Sequence, residues 1–502
     1  MNHALILPIL LPLLSGCLLL LFSRTLGFNG QRGLSLGATL ALPVLALWLL
    51  SLAQQGPVQV YALGNWPAPF GIQLLLDRLS ALLLLAVSVL ACAALLYAIR
   101  GDDKRGLNFH ALFQFQLAGL NGAFLTGDLF NLFVFFEILL IASYALLLHG
   151  LEATRVRAGL HYVLLNLTGS ALFLIALGLL YGIAGTLNMA DLARKVAHAD
   201  AQQAPILAAA GLLLLVVFGL KAALVPLHFW LPRTYAAACA PVAALFAIMT
   251  KVGIYAIIRV FTLIFGAEAG LLANLVQPWL WPLALLTVLA GTVSALAARD
   301  AQTLVAGLVV VSAGTLLSGV ALHNAQALSA ALYYLLHSTW VAGGLFLLVD
   351  VVARQRGSKG ARLENGAALL QPSLLAGLFF FGAISVAGLP PLPGFFAKLM
   401  LLNSVTATAQ AFWLWPVLLL SSLGALIALS RAGSALFWRA GRLPAHDAVR
   451  DDVRLTAAAA LLLLGAVLVL LAHPLMTYVQ ATAAQLLDAS AYQAALPPEV
   501  QK

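Results

Sequence analysis

Charge is scarce in this sequence. Only 9% of its 502 residues are Asp, Glu, Lys or Arg, and 63% are hydrophobic, where a soluble domain carries about 25% charged residues. No soluble fold has interior enough to hide that much apolar surface, so water is not the main solvent. Long polar stretches are missing too. The longest loops between apolar runs reach only about 25 residues, too few for a soluble domain. Ten-residue alternating strand patterns are absent, which excludes a membrane β-barrel. The three cysteines, Cys17, Cys92 and Cys239, sit in or beside apolar runs and form neither a metal spacing nor a disulfide framework. No flavin, nicotinamide or iron–sulfur signature is present. No cofactor and no metal are therefore expected.

What the sequence has in abundance is apolar runs of about 20 residues, the length that crosses roughly 30 Å of hydrocarbon as a helix. About fourteen spans are predicted, which makes the chain an all-α polytopic membrane protein. The first, Ala4 to Phe22, contains Pro8 and Pro12 and has no basic residues ahead of it. It reads as a span and not as a cleaved signal. The net charge of +9 would suit nucleic acid, but the basic residues lie in short loops, which is an orientation signal. Of 26 Lys and Arg, 18 fall in loops after odd-numbered spans and three, Arg194, Lys195 and Lys502, on the other side. That bias predicts a bacterial inner-membrane protein with both termini outside the cytoplasm and no nucleic-acid partner.

Five basic residues remain inside the apolar runs. Arg78 adjoins Asp77 and reads as a local pair. Arg259 lies toward the end of its span and reads as a side chain that snorkels to the interface. The lysines Lys221, Lys251 and Lys398 are different, because a charge at the bilayer centre costs about 2.5–3.5 kcal/mol on insertion scales. Such groups face a partner or a cavity and mark ion paths. Glu137, near the middle of span 5, belongs with them. Lys221 precedes Pro226, which removes a backbone donor and breaks the helix. Lys398 comes after Pro390, Pro391 and Pro393, which interrupt the twelfth span. A charge beside a broken helix at membrane depth is a common ion-site design in transporters. His337, deep in span 11, titrates nearest neutral pH and links the lysines. His228 and His323 are secondary candidates. These residues point to proton or cation transfer, against a rival in which buried charges only staple helices.

VPLHFWLP at Val225 to Pro232 overlays PPLPGFFAK at Pro390 to Lys398 with Pro226 on Pro391, an offset of 165 residues. The two breaks fall in spans 7 and 12. Spacing of five, an odd number, predicts two inverted five-helix repeats. The predicted units are residues 1–107 (spans 1–3), 108–264 (first repeat, spans 4–8), 265–440 (second repeat, spans 9–13) and 441–502 (span 14 and tail).

The segments GDLFNLFVFFEILLIASYALLL, KAALVPLHFWLPRTYAAACAPVAALFAIMTKVGIYAIIRV and AGLPPLPGFFAKLMLL resemble the antiporter-like subunits shared by Mrp-type cation/proton antiporters and respiratory complex I, and most of all the D-type subunit of the Mrp antiporters. The resemblance spans roughly residues 70–440. It implies a proton path through Glu137, Lys221, Lys251, His337 and Lys398. It also implies exchange of a monovalent cation such as sodium for protons, in a hetero-oligomer with other membrane subunits, and a transporter subunit in place of an enzyme. The alternative it leaves is a proton-pumping membrane subunit of an NADH:quinone oxidoreductase or membrane-bound hydrogenase. One departure stands out. Many relatives carry Lys four residues after the span-11 His, where this chain has Val341. Water or His323 then has to bridge toward Lys398.

Overall fold

The computed structural model describes residues 3–495 apart from 67, 68, 70 and 447, and leaves the side chains of 440, 442 and 443 undescribed. Lys502, assigned to the outer side, lies outside the described residues. The chain is a bundle of helices. In order they are α1 (Leu7–Leu21), α2 (Ser23–Gln55), α3 (Arg78–Ala98), α4 (Phe109–Leu125), α5 (Leu129–Leu147), α6 (Ala153–Ala184), α7 (Met189–Ala197), α8 (Ala204–Ala222), α9 (Trp230–Ala237) and α10 (Ala240–Leu263). Then come α11 (Gln277–Ala297), α12 (Ala301–Ala321), α13 (Ala325–Gln355), α14 (Pro372–Ala387), α15 (Pro393–Asn403), α16 (Thr408–Gly433), α17 (Asp452–Leu470), α18 (Ala472–Leu486) and α19 (Ala489–Gln493).

The scarce polar residues set where these helices start. Asp77, Asp128, Asp300, Asn324 and Asp451 each accept a hydrogen bond from a backbone N–H in the first turn of α3, α5, α12, α13 and α17. Such caps satisfy donors the helix leaves orphaned. Proline opens α8, α10, α11, α14 and α15, where its missing N–H costs nothing.

Among the described residues, twelve helices are long and apolar enough to cross a membrane. Two further expected spans fall on shorter elements. One is the 17-residue α4. The other is the pair α14 and α15, of 16 and 11 residues.

Burial sorts the helices into centre and rim. The most apolar windows of α10 and α12 are wholly buried and that of α13 is 94% buried, against 39% for the first span and 33% for α2. The rim helices turn bare leucines outward, as a helix facing lipid does. Two small two-stranded sheets tie loops together. Gln59–Ala62 pairs antiparallel with Gln73–Leu76 between α2 and α3, and Gly366–Ala368 pairs with Ala440–Pro444.

Candidate ion-transfer site

The helices that carry the buried charges pack in succession. α8 lies against α10, α10 against α13, and α13 against α15. Lys221, Lys251, His337 and Lys398 sit one on each, and all four are buried. Glu137 stands at the near end of this row, on α5.

Two of the row's helices stop short. α8 ends at Ala222, and Ala223 adopts a left-handed turn at φ 58°. The chain then runs through Pro226 and resumes as α9 at Trp230. The freed groups find partners. Trp230 Nε1 donates to Leu220 O at 3.1 Å and the Val225 N–H donates to Thr287 Oγ1 at 2.9 Å. That satisfies the rule that irregular backbone at membrane depth must be buried in protein or line a cavity. Gly253 lets α10 approach this break: a Cβ there would lie 2.8 Å from the Lys221 carbonyl carbon. The second interruption runs from Gly388, at φ 81°, to Leu392, and holds Pro390 and Pro391, with Pro393 opening α15. The Val225–Pro226 and Pro390–Pro391 bonds are both cis.

Around Lys221 the surroundings are apolar. Its Nζ stands 4.9 Å from the centroid of the Phe136 ring and has no hydrogen-bond partner among the described residues. Glu137, the next residue on α5, accepts a hydrogen bond from Ser170 of α6. It does not form an ion pair with Lys221 in this state, although its charge is near enough to act on that lysine. Lys251 Nζ donates to Ser312 Oγ at 3.1 Å. His337 Nδ1 lies 3.4 Å from Ser385 Oγ, and a Cβ on Gly394 would stand 3.0 Å from its Nε2. Lys398 Nζ donates to Val386 O and Ala387 O at 3.1 Å and to Ser422 Oγ at 2.9 Å. Those carbonyls end α14, so the ammonium caps the negative end of a half-helix.

The secondary histidines lie in connections between helices, one between α8 and α9 and one between α12 and α13. His228 lies in the first break, half-buried, with Nδ1 unpartnered among the described residues. His323 precedes α13, whose first residue Ala325 lies about 18 Å along the axis from His337 at 1.5 Å per residue. Val341, one turn beyond His337, is buried.

The structure also corrects the reading of two charges. Asp77 does not pair with Arg78. Its carboxylate takes Arg259 Nη1 at 2.6 Å and Nη2 at 2.9 Å, and the Tyr492 hydroxyl at 2.7 Å. Arg259 is 1% exposed, so it does not snorkel. Arg78 turns the other way, to the carbonyls of Ala53 and Gln54. Asp77 caps α3 from extended backbone while Arg78 opens the helix, so the two side chains part and the neighbour in sequence is not the partner.

Four residues escaped sequence reasoning altogether: Ser170, Ser312, Ser385 and Ser422. Each places a hydroxyl on one of the row's ionisable groups. Serine is ordinary in membrane helices, and each comes from a helix other than the one it serves. No local signal marks them. Among the described residues, no group of three or more His, Cys, Asp or Glu is placed to hold a metal.

Residues 126–426 match the model of the family described as NADH:quinone oxidoreductase/Mrp antiporter, transmembrane. The chain belongs to that family. A relative in Rhizobium meliloti (strain 1021), the D-type subunit of a probable K(+)/H(+) antiporter, is 45% identical over 97% of this chain and 96% of its own length. The D-type subunit of the Na(+)/H(+) antiporter of Bacillus subtilis (strain 168) is 40% identical over 87% of each chain. Among solved structures, a chain of the Mrp complex from Dietzia sp. DQ12-45-1b superposes with a TM-score of 0.87. It is 28% identical, and the match covers 99% of this chain and 100% of that one. Within this antiporter family, the stretch matched by the family model contains every residue of the row from Glu137 to Lys398.

Proposed function

We propose that this chain is the proton-translocating D-type subunit of a multisubunit monovalent cation/proton antiporter, and that protons move along Glu137, Lys221, Lys251, His337 and Lys398. The observation that carries this reading is the row itself. Four buried titratable side chains lie on four helices packed in sequence, two of them at helix breaks, with Glu137 at the near end. A set of helix staples would pair acid with base. Here the lysines and the histidine meet hydroxyls, carbonyls or nothing.

The mechanism follows from proton counts. An ammonium has three N–H donors. Lys398 has three acceptors within 3.1 Å, which suits the charged form. Lys221 has none among the described residues, so its charge depends on Glu137. When Glu137 swings from Ser170 toward Lys221, the pair favours the protonated amine. When a proton or cation neutralises Glu137, Lys221 releases its proton toward Lys251. Lys251 hands it on past Ser312, and His337 carries it to Lys398. Position 341 is Val, so the proposed path runs from His337 to Lys398 without a lysine there.

The remaining expectations fit the same reading. Fourteen spans follow if α4 and the α14–α15 pair cross the membrane. The inverted five-span repeats then cover residues 108–264 and 265–440, flanked by 1–107 and 441–502, in a bacterial inner membrane with both termini outside. The relatives are named for sodium and for potassium, and the row's carboxylate, Glu137, is the group a monovalent cation would meet. Identities of 45% and 40% to antiporter subunits weigh toward antiport over the oxidoreductase members of the family.

Cation-dependent quenching of a pH dye in everted vesicles tests the proposal, with the full complex expressed in an antiporter-deficient host. Lys221→Ala and Glu137→Ala abolish exchange while the complex still assembles. Exchange retained in either variant overturns the assigned path.

A further inference from the structure

A cavity of about 670 Å³ opens beside the first helix break, at the end of the bundle richest in arginine. Five arginines line it (Arg105, Arg155, Arg157, Arg233 and Arg354), against four carboxylates. The carboxylates are already engaged. Asp102 takes Arg354 at 2.8 Å and Arg454 at 3.0 Å, and Asp350 takes Arg354 at 2.5 Å. Glu152 takes Arg155 at 3.0 Å, and Asp300 accepts from Thr303 N and Oγ1. Two guanidinium groups are left over. Arg157 on α6 and Arg233 on α9 are exposed and have no ion pair or side-chain hydrogen bond among the described residues. Arg233 also lines an adjoining cavity of about 460 Å³ with His228 and Arg299.

Directly along α6 from Arg157, the helix presents a bare apolar row. Leu160, Leu164 and Leu167 are 59%, 55% and 58% exposed. Their spacing of four and three puts them on one face. Phe229, at the start of α9, is 55% exposed as well. Free cations above an outward leucine stripe describe a molecule with a phosphate at one end and a hydrocarbon tail at the other.

We propose that this rim binds an anionic phospholipid, with the phosphate held between Arg157 and Arg233 and an acyl chain laid along α6. Basic pockets between membrane helices attract anionic headgroups, and guanidinium matches phosphate oxygens two at a time. A free phosphate would meet the same cations but leave the leucine row bare. Arg233 stands on the half-helix just past the Lys221 break, so the lipid steadies α9 against α6 where the carrier lysine is least constrained.

Native mass spectrometry of the purified antiporter complex, titrated with phosphatidylglycerol, phosphatidylcholine or inorganic phosphate, tests this independently of transport. Phosphatidylglycerol binds in preference to phosphatidylcholine, and inorganic phosphate at the same concentration does not displace it. Arg157→Gln with Arg233→Gln weakens phosphatidylglycerol binding about 25-fold, at roughly fivefold per cation, whereas the double Lys variant keeps most of it. Equal binding of the two lipids, displacement by inorganic phosphate, or wild-type binding by the double Gln variant each overturns the proposal. If the Gln variant does not assemble, the wild-type lipid preference and the phosphate competition still decide it.

Discussion

The two broken helices make the same kind of interruption and treat their lysines in opposite ways. Lys398 sits on the carbonyl end of α14 with all three of its protons placed. Lys221 sits at the end of α8 facing the Phe136 ring, with no acceptor among the described residues. The difference lies in the path of the chain past each break. After Gly388 it folds back so that Lys398, ten residues on, returns to the helix end it left. Lys221 comes before its break and has no such return. A saturated ammonium is a resting place for charge. An unsaturated one responds to whatever charge comes near. The contrast teaches that one motif supplies both a store and a switch, depending on which side of the break the lysine stands.

The sharpest way to break this comparison is to neutralise the switch. Lys221→Met removes the group that answers Glu137, and antiport falls by at least about a hundredfold, the scale of a lost positioned proton carrier. Lys398→Met leaves two carbonyls and a hydroxyl unmet, so it lowers both antiport and the yield of assembled complex. Dye-quenching rates normalised to complex recovered from the membrane separate the two. If Lys221→Met instead reduced yield and spared rate, the roles would be reversed.

A second variant asks what a fully paired buried charge is worth. Asp77→Asn leaves Arg259 buried without its carboxylate, and breaking such a pair costs about 3–5 kcal/mol. The complex loses thermal stability, read by size-exclusion recovery after heating, while surviving molecules keep their antiport. A variant that assembled normally but leaked protons would move Asp77 into the transfer path.

Smaller still is Ser422→Ala. It removes one of three acceptors from Lys398, and hydrogen bonds to a charged group contribute about 1.5–3 kcal/mol. The antiport pH profile shifts with little change in yield. Phe136→Leu, the matched change at Lys221, removes a cation–π contact of about 0.5–2 kcal/mol and shifts the profile less.

The smallest effect belongs to the loops outside the membrane. Burial holds the His149 imidazole below its ordinary range, with Nε2 donating to Asp102 O at 3.0 Å. A group whose folded value is lowered favours folding above its unfolded value. Its contribution is therefore full above about pH 6.5 and declines as pH falls through that value. Asp103 behaves differently. Burial would raise its carboxyl, but hydrogen bonds from His110 and Arg32 overcome that and hold it below its ordinary value. Its contribution persists to lower pH: it is full above the ordinary carboxylate value and is lost as pH falls from there through the lowered one. Thermal stability of the solubilised complex thus slopes down from pH 7 to pH 5, and His149→Asn flattens the slope.

Much of this site was legible in one dimension, and the reason is solvent. In hydrocarbon a single lysine is conspicuous, so Lys221, Lys251 and Lys398 announced themselves by residue type alone. Pro226 and the prolines at 390, 391 and 393 announced the breaks, since a ring without an N–H cannot continue a helix. What stayed illegible was every pairing made across the bundle. Asp77 and Arg259 are 182 residues apart. The serines that meet the row carry no mark of their own.

The clasp at Asp77 also bears on how the chain is tied together. Its carboxylate caps α3, and its guanidinium partner lies on α10. The Tyr492 hydroxyl that completes the arrangement lies 415 residues downstream. Without α19 the carboxylate keeps its ion pair with Arg259 but loses the donor that the hydroxyl supplies. The short helix α19 therefore closes the polar cluster at the head of α3, tying the far end of the described chain to one of its first long helices.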